Sequence, residues 1–192
     1  MKSTIILCSG GARSGKSEFA EQLALSLKGR KAYVATGQAL DDEMKDRIKK
    51  HQLRRGKEWI TFEIPLHLYK NWEQIKNVSD VILIDCLTMF TSNHVLAHGD
   101  INTQEDANRI ESIILEELRL LLQEINNSND KTVIFVTNEI GLGIVPENKL
   151  ARYFRDITGR VNREVASAAN KMYLTISGIT IELKSQEVHI NG

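Results

Sequence analysis

Gly10-Gly11-Ala12-Arg13-Ser14-Gly15-Lys16-Ser17 fits the G-x-x-x-x-G-K-S/T spacing of a phosphate-binding P-loop. The chemistry needs that spacing. Glycines let successive backbone N–H groups turn inward around an anion, and the following helix aims its positive end at the same place. Lys16 would reach the β and γ phosphates of a nucleotide, and Ser17 would hold Mg²⁺. A glycine-rich strand-to-helix turn could match the pattern by chance. The apolar run before it and the amphipathic segment after it favour the phosphate site.

A second carboxylate is needed for the metal, at the end of a hydrophobic strand, and Val81-Ile82-Leu83-Ile84-Asp85 supplies one. Asp85 also suits a strand-end turn, although an apolar run ending in one acid beside a P-loop favours the metal role. A third group lies on a segment from Leu40 to Arg55 with acids at its start and bases at its end, as a helix dipole favours. At helical spacing Leu40, Met44 and Ile48 share a face that His51 and Arg55 continue. A neutral imidazole there could attack phosphorus while the guanidinium binds its oxygens. Spacing alone nevertheless favours the plainer reading, a partly buried histidine among solvated bases. His67, His94, His98 and His189 read as structural or surface residues.

The elements that must position these groups follow from periodicity. Strand-length apolar runs at Thr4 to Ser9, Lys31 to Thr36, Trp59 to Ile64, Val81 to Leu87, Thr132 to Thr137 and Met172 to Ser177 alternate with helical segments. That alternation predicts an α/β fold of P-loop NTPase type: a mostly parallel central sheet with helices on both faces. Helical stripes run through Phe19, Ala20, Leu23, Ala24 and Leu27, through Ile110, Ile114, Leu118, Leu121 and Ile125, and from Leu150 and Phe154 through Ile157, Val161, Val165 and Ala168. Ser14 is a candidate N-cap for the first helix. Ser177-Gly178 predicts a hairpin turn into Ile179 to Lys184 at the C-terminal end.

Composition sets the bounds. The 192 residues carry 25 Lys plus Arg and 25 Asp plus Glu, with 42% hydrophobic content, which fits one domain over residues 1–192. The zero net charge argues against a protein that coats nucleic acid. The N-terminal apolar stretch is too short to span a membrane. Cys8 and Cys86, the two cysteines, both end apolar runs and read as buried thiols of a cytoplasmic protein.

Taken together, these blocks resemble the bifunctional adenosylcobinamide kinase and adenosylcobinamide-phosphate guanylyltransferase family of cobalamin assembly. The resemblance spans nearly the whole chain: the P-loop, Ala35-Thr36 with Asp41 to Met44, His51 with Arg55, Trp59, Thr61, Glu63 and Pro65, and the blocks Val136 to Asn148 and Arg155 to Asn162. It implies two reactions. A nucleoside triphosphate, ATP or GTP, phosphorylates the aminopropanol hydroxyl of adenosylcobinamide. A histidine then takes GMP from GTP and passes it to the cobinamide phosphate. The matching histidine is His51, so the resemblance reverses the reading from spacing. It implies nucleotide contacts at Gly10, Gly11, Ala12, Arg13, Ser14, Gly15, Lys16 and Ser17, at Ala35, Thr36 and Gly37, at Gln52, Leu53, Arg54 and Arg55, and at Glu63 and Asp85. It also implies Mg²⁺ on Ser17 and Asp85, and a homotrimer.

Three positions depart from the family pattern. Lys50 precedes His51 where some relatives carry a second histidine, Asp85 stands where Glu is common, and Gly56 where Pro is common. Guanine choice rests on the resemblance alone, because Val136-Thr137-Asn138-Glu139 is not the Asn-Lys-x-Asp pattern of GTPases. Two rival readings are a different small-molecule P-loop kinase with no covalent intermediate and a non-enzymatic nucleotide switch.

Overall fold

The computed structural model describes residues 2–38, 56 and 58–189. Seven strands form one sheet: β1 (Thr4–Gly10), β2 (Lys31–Ala35), β3 (Trp59–Glu63), β4 (Val81–Asp85), β5 (Thr132–Asn138), β6 (Lys171–Ile176) and β7 (Ile179–Glu182). Their spatial order is β3-β2-β4-β5-β1-β6-β7, and every pairing is parallel except the terminal β6–β7 hairpin. The expected α/β fold is therefore present, hairpin included. The described helices are α1 (Lys16–Ser26), α2 (Leu68–Val78), α3 (Leu87–Ala97), α4 (Gln104–Asn127) and α5 (Lys149–Ala168).

Strand alternation sends successive side chains to opposite faces, and each face has its own core. On one face Ile6, Cys8, Tyr33, Leu83, Ile134 and Val136 pack with Ala20 and Ala24 of α1. On the other, Ile5, Leu7, Val34, Ile84, Val133 and Phe135 pack with Trp72 of α2, Phe90 of α3, Ile114 and Leu118 of α4, and Ile157 and Val161 of α5. The stripe from Ile110 to Ile125 is wholly buried, as its period requires. Its helix starts at a capping box in which Thr103 Oγ1 accepts from the Asp106 N–H at 3.1 Å and the Asp106 carboxylate accepts from the Thr103 N–H at 2.9 Å. Cys8 and Cys86 are buried free thiols, both pushed up to about 12 by burial first and the Asp85 charge second.

Four details differ from the expectations. The strand expected to run to Leu87 stops at Asp85, because Leu87 opens α3 and is fully buried by it. Helices α2 and α3 have no counterpart among the helical stripes read from the sequence; the mixed burial of α3, with Asn93 and His94 buried beside Phe90, hides its period. Ser14 is not the cap of α1: Gly15 is, at φ +97°, with no side-chain cap. Leu150, placed on the buried stripe of α5, is exposed in that helix's first turn. The expected helix from Leu40 to Arg55, with His51, Gln52, Leu53, Arg54 and Arg55, lies outside the described residues.

Candidate functional site

All parallel strands end on the same edge, the edge at which open α/β sheets bind ligands. Two rows of residues define it on the α1 face. Register aligns Glu63, Ala35, Asp85, Val136 and Cys8 across β3, β2, β4, β5 and β1. One same-face step further out, Gly10 stands beside Asn138. The acid of β4, the acid of β3 and the start of the phosphate loop thus share one side of one edge.

The loop itself is held tightly. Gly10 accepts at its carbonyl from the Glu139 N–H at 3.1 Å, and the Ser14 N–H donates to the Gly11 carbonyl at 3.3 Å. Arg13 takes φ +57°, and Gly15 takes φ +97°, a backbone that a side chain would strain. Glycine at position 10 has a second cause. A Cβ there would lie 2.5 Å from the Thr175 carbonyl oxygen of β6. From the same direction, the Gly178 N–H in the hairpin turn donates to the Ser14 carbonyl at 2.8 Å. Ser177 and Gly178 both have positive φ, as a two-residue turn of this hand requires.

Lys16 opens α1, is buried, and its Nζ donates to the Gly11 carbonyl at 3.2 Å. Burial lowers its pKa from the ordinary lysine value, while negative charge at Cys86 and at Asp85 opposes that shift. Because the Cys86 thiol is held at about 12, only Asp85 carries that charge near neutrality. The Asp85 charge thus works against the desolvation of Lys16. The Tyr33 hydroxyl donates to Asp85 Oδ2 at 3.1 Å and orients the carboxylate from the neighbouring strand. Ser17 and Asp85 carry hard oxygen atoms of the kind that would hold Mg²⁺.

The remaining sequence-predicted residues fall into groups. Gly11, Ala12 and Arg13 are exposed at the loop's outer side, and Ser14 is buried. Ala35 and Gly37 flank Thr36 at the end of β2. Thr36 is consumed by the fold: its N–H donates to the Asp85 carbonyl at 3.1 Å, and its hydroxyl both donates to the Cys86 carbonyl and accepts from the Cys86 N–H at 2.7 Å. Its own carbonyl accepts from Asn93 Nδ2 at 2.7 Å. These bonds fix the placement of Ala35 and Gly37 on either side of it. Glu63 is exposed at the end of β3. His51 and Gln52, Leu53, Arg54 and Arg55 belong to the undescribed segment.

Sequence reasoning missed the polar layer behind the edge. Asn93 Nδ2 also donates to the Pro65 carbonyl at 2.9 Å, clamping the ends of β2 and β3 together. Thr88 Oγ1 accepts from the Asn138 N–H at 2.9 Å, and the Thr137 hydroxyl donates to Asn162 Oδ1 at 2.6 Å. The one available signal was polar residues interrupting otherwise apolar stripes, Asn93 in α3 and Asn162 in α5.

Comparison with known proteins completes the picture. Residues 6–183 match the family model described as cobinamide kinase / cobinamide phosphate guanyltransferase. The chain is 42% identical to the bifunctional adenosylcobalamin biosynthesis protein CobU of Escherichia coli (strain K12) over 94% of this chain and 99% of that protein. It is 43% identical to CobU of Salmonella typhimurium over the same shares, and 34% identical to CobP of Pseudomonas aeruginosa over 92% of this chain and 95% of that protein. Among solved structures, an ATPase from the type III secretion system of pathogenic bacteria shares the fold alone, with TM-score 0.57 and 11% identity, covering 98% of this chain and 59% of that one. The phosphate loop, the acid-ended strand beside it and a family match over almost every residue lead to one assignment: the chain belongs to the cobinamide kinase / cobinamide phosphate guanyltransferase family.

Proposed function

We propose that this chain carries out both reactions of its family. In the first, the hydroxyl oxygen of the aminopropanol arm of adenosylcobinamide attacks the γ-phosphorus of a nucleoside triphosphate and the diphosphate leaves. In the second, a ring nitrogen of His51 attacks the α-phosphorus of GTP, pyrophosphate leaves, and the cobinamide phosphate then displaces the imidazole to give adenosylcobinamide-GDP. The observation that carries the reading is the phosphate loop at the end of β1, with Lys16 buried against the Gly11 carbonyl, on the same sheet edge and face as Asp85. The His51 assignment is supported by the motif around it in a chain whose family is a kinase and guanyltransferase.

Backbone N–H groups of residues 11–17 and Lys16 would bind the triphosphate, Ala35 and Gly37 would wall the nucleoside, and Glu63 would accept from a ribose hydroxyl or base edge. Arg54 and Arg55 suit the charge developing on phosphorus. Mg²⁺ fits Ser17 and Asp85, where it would neutralise phosphate charge during transfer.

The test is incubation with α-labelled GTP. Label that survives denaturation, is released by acid and is absent from His51→Ala supports the guanylylated intermediate; no retained label leaves a kinase without one. Steady-state turnover of adenosylcobinamide with ATP or GTP separates enzyme from nucleotide switch.

A homotrimer and a cytoplasmic location go with this reading. Leu142, Ile144 and Val145, between β5 and α5, are exposed, Ile144 at 96%, and contact between copies would cover them. Sedimentation equilibrium at a monomer mass would overturn the trimer. The two buried free thiols suit a reducing compartment.

A further inference from the structure

Asn138 ends β5 beside Gly10 in the β1–β5 register. Residues two apart on a strand share a face, so Asn138 projects with Ile134 and Val136 toward α1, the side that holds Lys16 and Asp85. Asp85 pairs with Val136, which places Asn138 one same-face step closer to the open edge, between the strand that ends in the phosphate loop and the strand that ends in the acid.

The backbone at this point is fixed from the opposite face. The Asn138 N–H donates to Thr88 Oγ1 at 2.9 Å, and its carbonyl accepts from Asn162 Nδ2 at 3.1 Å. The Thr137 hydroxyl locks Asn162 in turn, at 2.6 Å. The next residue, Glu139, donates its N–H to the Gly10 carbonyl at 3.1 Å, joining the pinned strand end to the phosphate loop. The two bonds that Asn138 itself makes, to Thr88 and Asn162, both use its backbone. Its side-chain carboxamide, half-buried, has no hydrogen-bond partner among the described residues. A half-buried amide on a pinned strand end, with its donors and acceptor not used by the described residues, is free to bond a ligand at that edge.

We propose that Asn138 is a catalytic residue of the kinase step, donating from Nδ2 to the γ-phosphoryl group in transit, with Thr88 and Asn162 as positioning residues. The proposal rests on the kinase reading above. During transfer the acceptor hydroxyl oxygen bonds to γ-phosphorus and the bond to the β–γ bridging oxygen breaks, its electron pair leaving on the diphosphate. The hydroxyl proton passes to solvent. A donor already fixed at the phosphoryl oxygens stabilises that moving charge without reorganising.

The experiment compares wild type with Asn138→Ala, Asn138→Asp and Asn162→Ala in steady-state phosphorylation of adenosylcobinamide, with nucleotide affinity and melting temperature measured alongside. Asn138→Ala is expected to lower kcat about 100-fold, the loss typical of one transition-state donor, with nucleotide KM changed less than about threefold. Its melting temperature should stay within about 2 °C of wild type, since the side chain bonds nothing among the described residues. Asn138→Asp, acceptor-only against a phosphate, should be slower still. Asn162→Ala should lower kcat more than it raises KM and should also lower the melting temperature. An active wild type with Asn138→Ala within about threefold of its kcat would overturn the role. Asn138→Asp matching or exceeding Asn138→Ala would overturn the donor assignment, whereas a wild type that fails to phosphorylate would overturn the kinase reading itself.

Discussion

The Gly178 N–H donates to the Ser14 carbonyl oxygen at 2.8 Å, so the turn of the C-terminal hairpin is tied to the phosphate loop from the far end of the sequence. The hairpin does more than extend the sheet. Together with the Thr175 carbonyl it forms the wall against which the loop is shaped.

Gly10→Ala tests that wall. The added methyl would sit 2.5 Å from the Thr175 carbonyl oxygen and 2.6 Å from Ser14 Oγ, and backbone on the β6 side cannot rotate away. Overpacking of this kind costs about 1–3 kcal/mol. Because the displaced atoms belong to the loop, nucleotide affinity should fall about tenfold or more, measured by calorimetric titration with ATP and GTP. Unchanged affinity would show that the hairpin does not set the loop's shape.

Lys16→Ala and His51→Ala should separate the two reactions. On the proposed reading Lys16 would approach the phosphates of either nucleotide, so its loss should lower both the phosphorylation rate and the guanylyl labelling by about 100-fold or more. His51→Ala should abolish labelling while leaving kinase kcat within about threefold. Rates for each step measured on both variants decide the matter; loss of both activities in His51→Ala would show that the histidine serves more than nucleotidyl transfer.

Much of this architecture was legible because it depends on local pattern. Apolar runs marked the strands, and the glycines around Lys16 marked the loop, since both follow from backbone geometry that few residue types satisfy. Asp85 was legible for the same reason, as one acid closing an apolar run. The partners were not. Nothing in the local sequence of Asn162 says that it reaches the end of β5, and nothing around Gly178 says that it meets Ser14, because long-range contacts depend on strand order. Helix α3 was illegible for a different cause: with Thr88, Thr91, Asn93 and His94 buried together, its inward face is too polar for a hydrophobic period to show.

His94 should make stability depend on pH. It is fully buried on α3, against Phe90 of its own helix and His98 at that helix's C-cap, His67 before α2 and Glu117 of α4. Glu117 Oε2 lies 3.4 Å from His94 Nε2, which by itself would favour imidazolium, yet burial prevails. It lowers His94 to about 4, with His98 and His67 adding to the effect, and it raises Glu117. His94 is therefore held as the neutral base. A histidine with a depressed folded pKa contributes full stability above its unfolded value near 6.5 and loses it as pH falls toward 4, because only the unfolded chain takes the proton. The loss amounts to about 3 kcal/mol, offset in part by Glu117, whose raised pKa works in the other direction. Urea unfolding at pH 7 and pH 4.5 should show this drop in wild type and a shallower one in His94→Gln; equal slopes would assign the pH dependence elsewhere.

Gly29→Ala should weaken the fold without touching the chemistry. Gly29 has φ +111°, and a Cβ there would lie 2.8 Å from the Cβ of Asp80, at the amino edge of the sheet, opposite the phosphate loop. Asp80 cannot easily give way. Its carboxylate accepts from the Arg30 N–H at 2.9 Å, from the Arg30 guanidinium and from Lys131 Nζ at 3.4 Å, and these bonds, led by Arg30, hold it down at about 2. Strained backbone and a displaced carboxylate together should cost about 1–3 kcal/mol, lowering the melting temperature by several degrees. Because Gly29 and Asp80 lie at the opposite edge of the sheet from Lys16 and the end of β4 at Asp85, kcat and KM measured below the transition should match wild type. A kinetic change at full folding would mean that the two edges of the sheet are coupled.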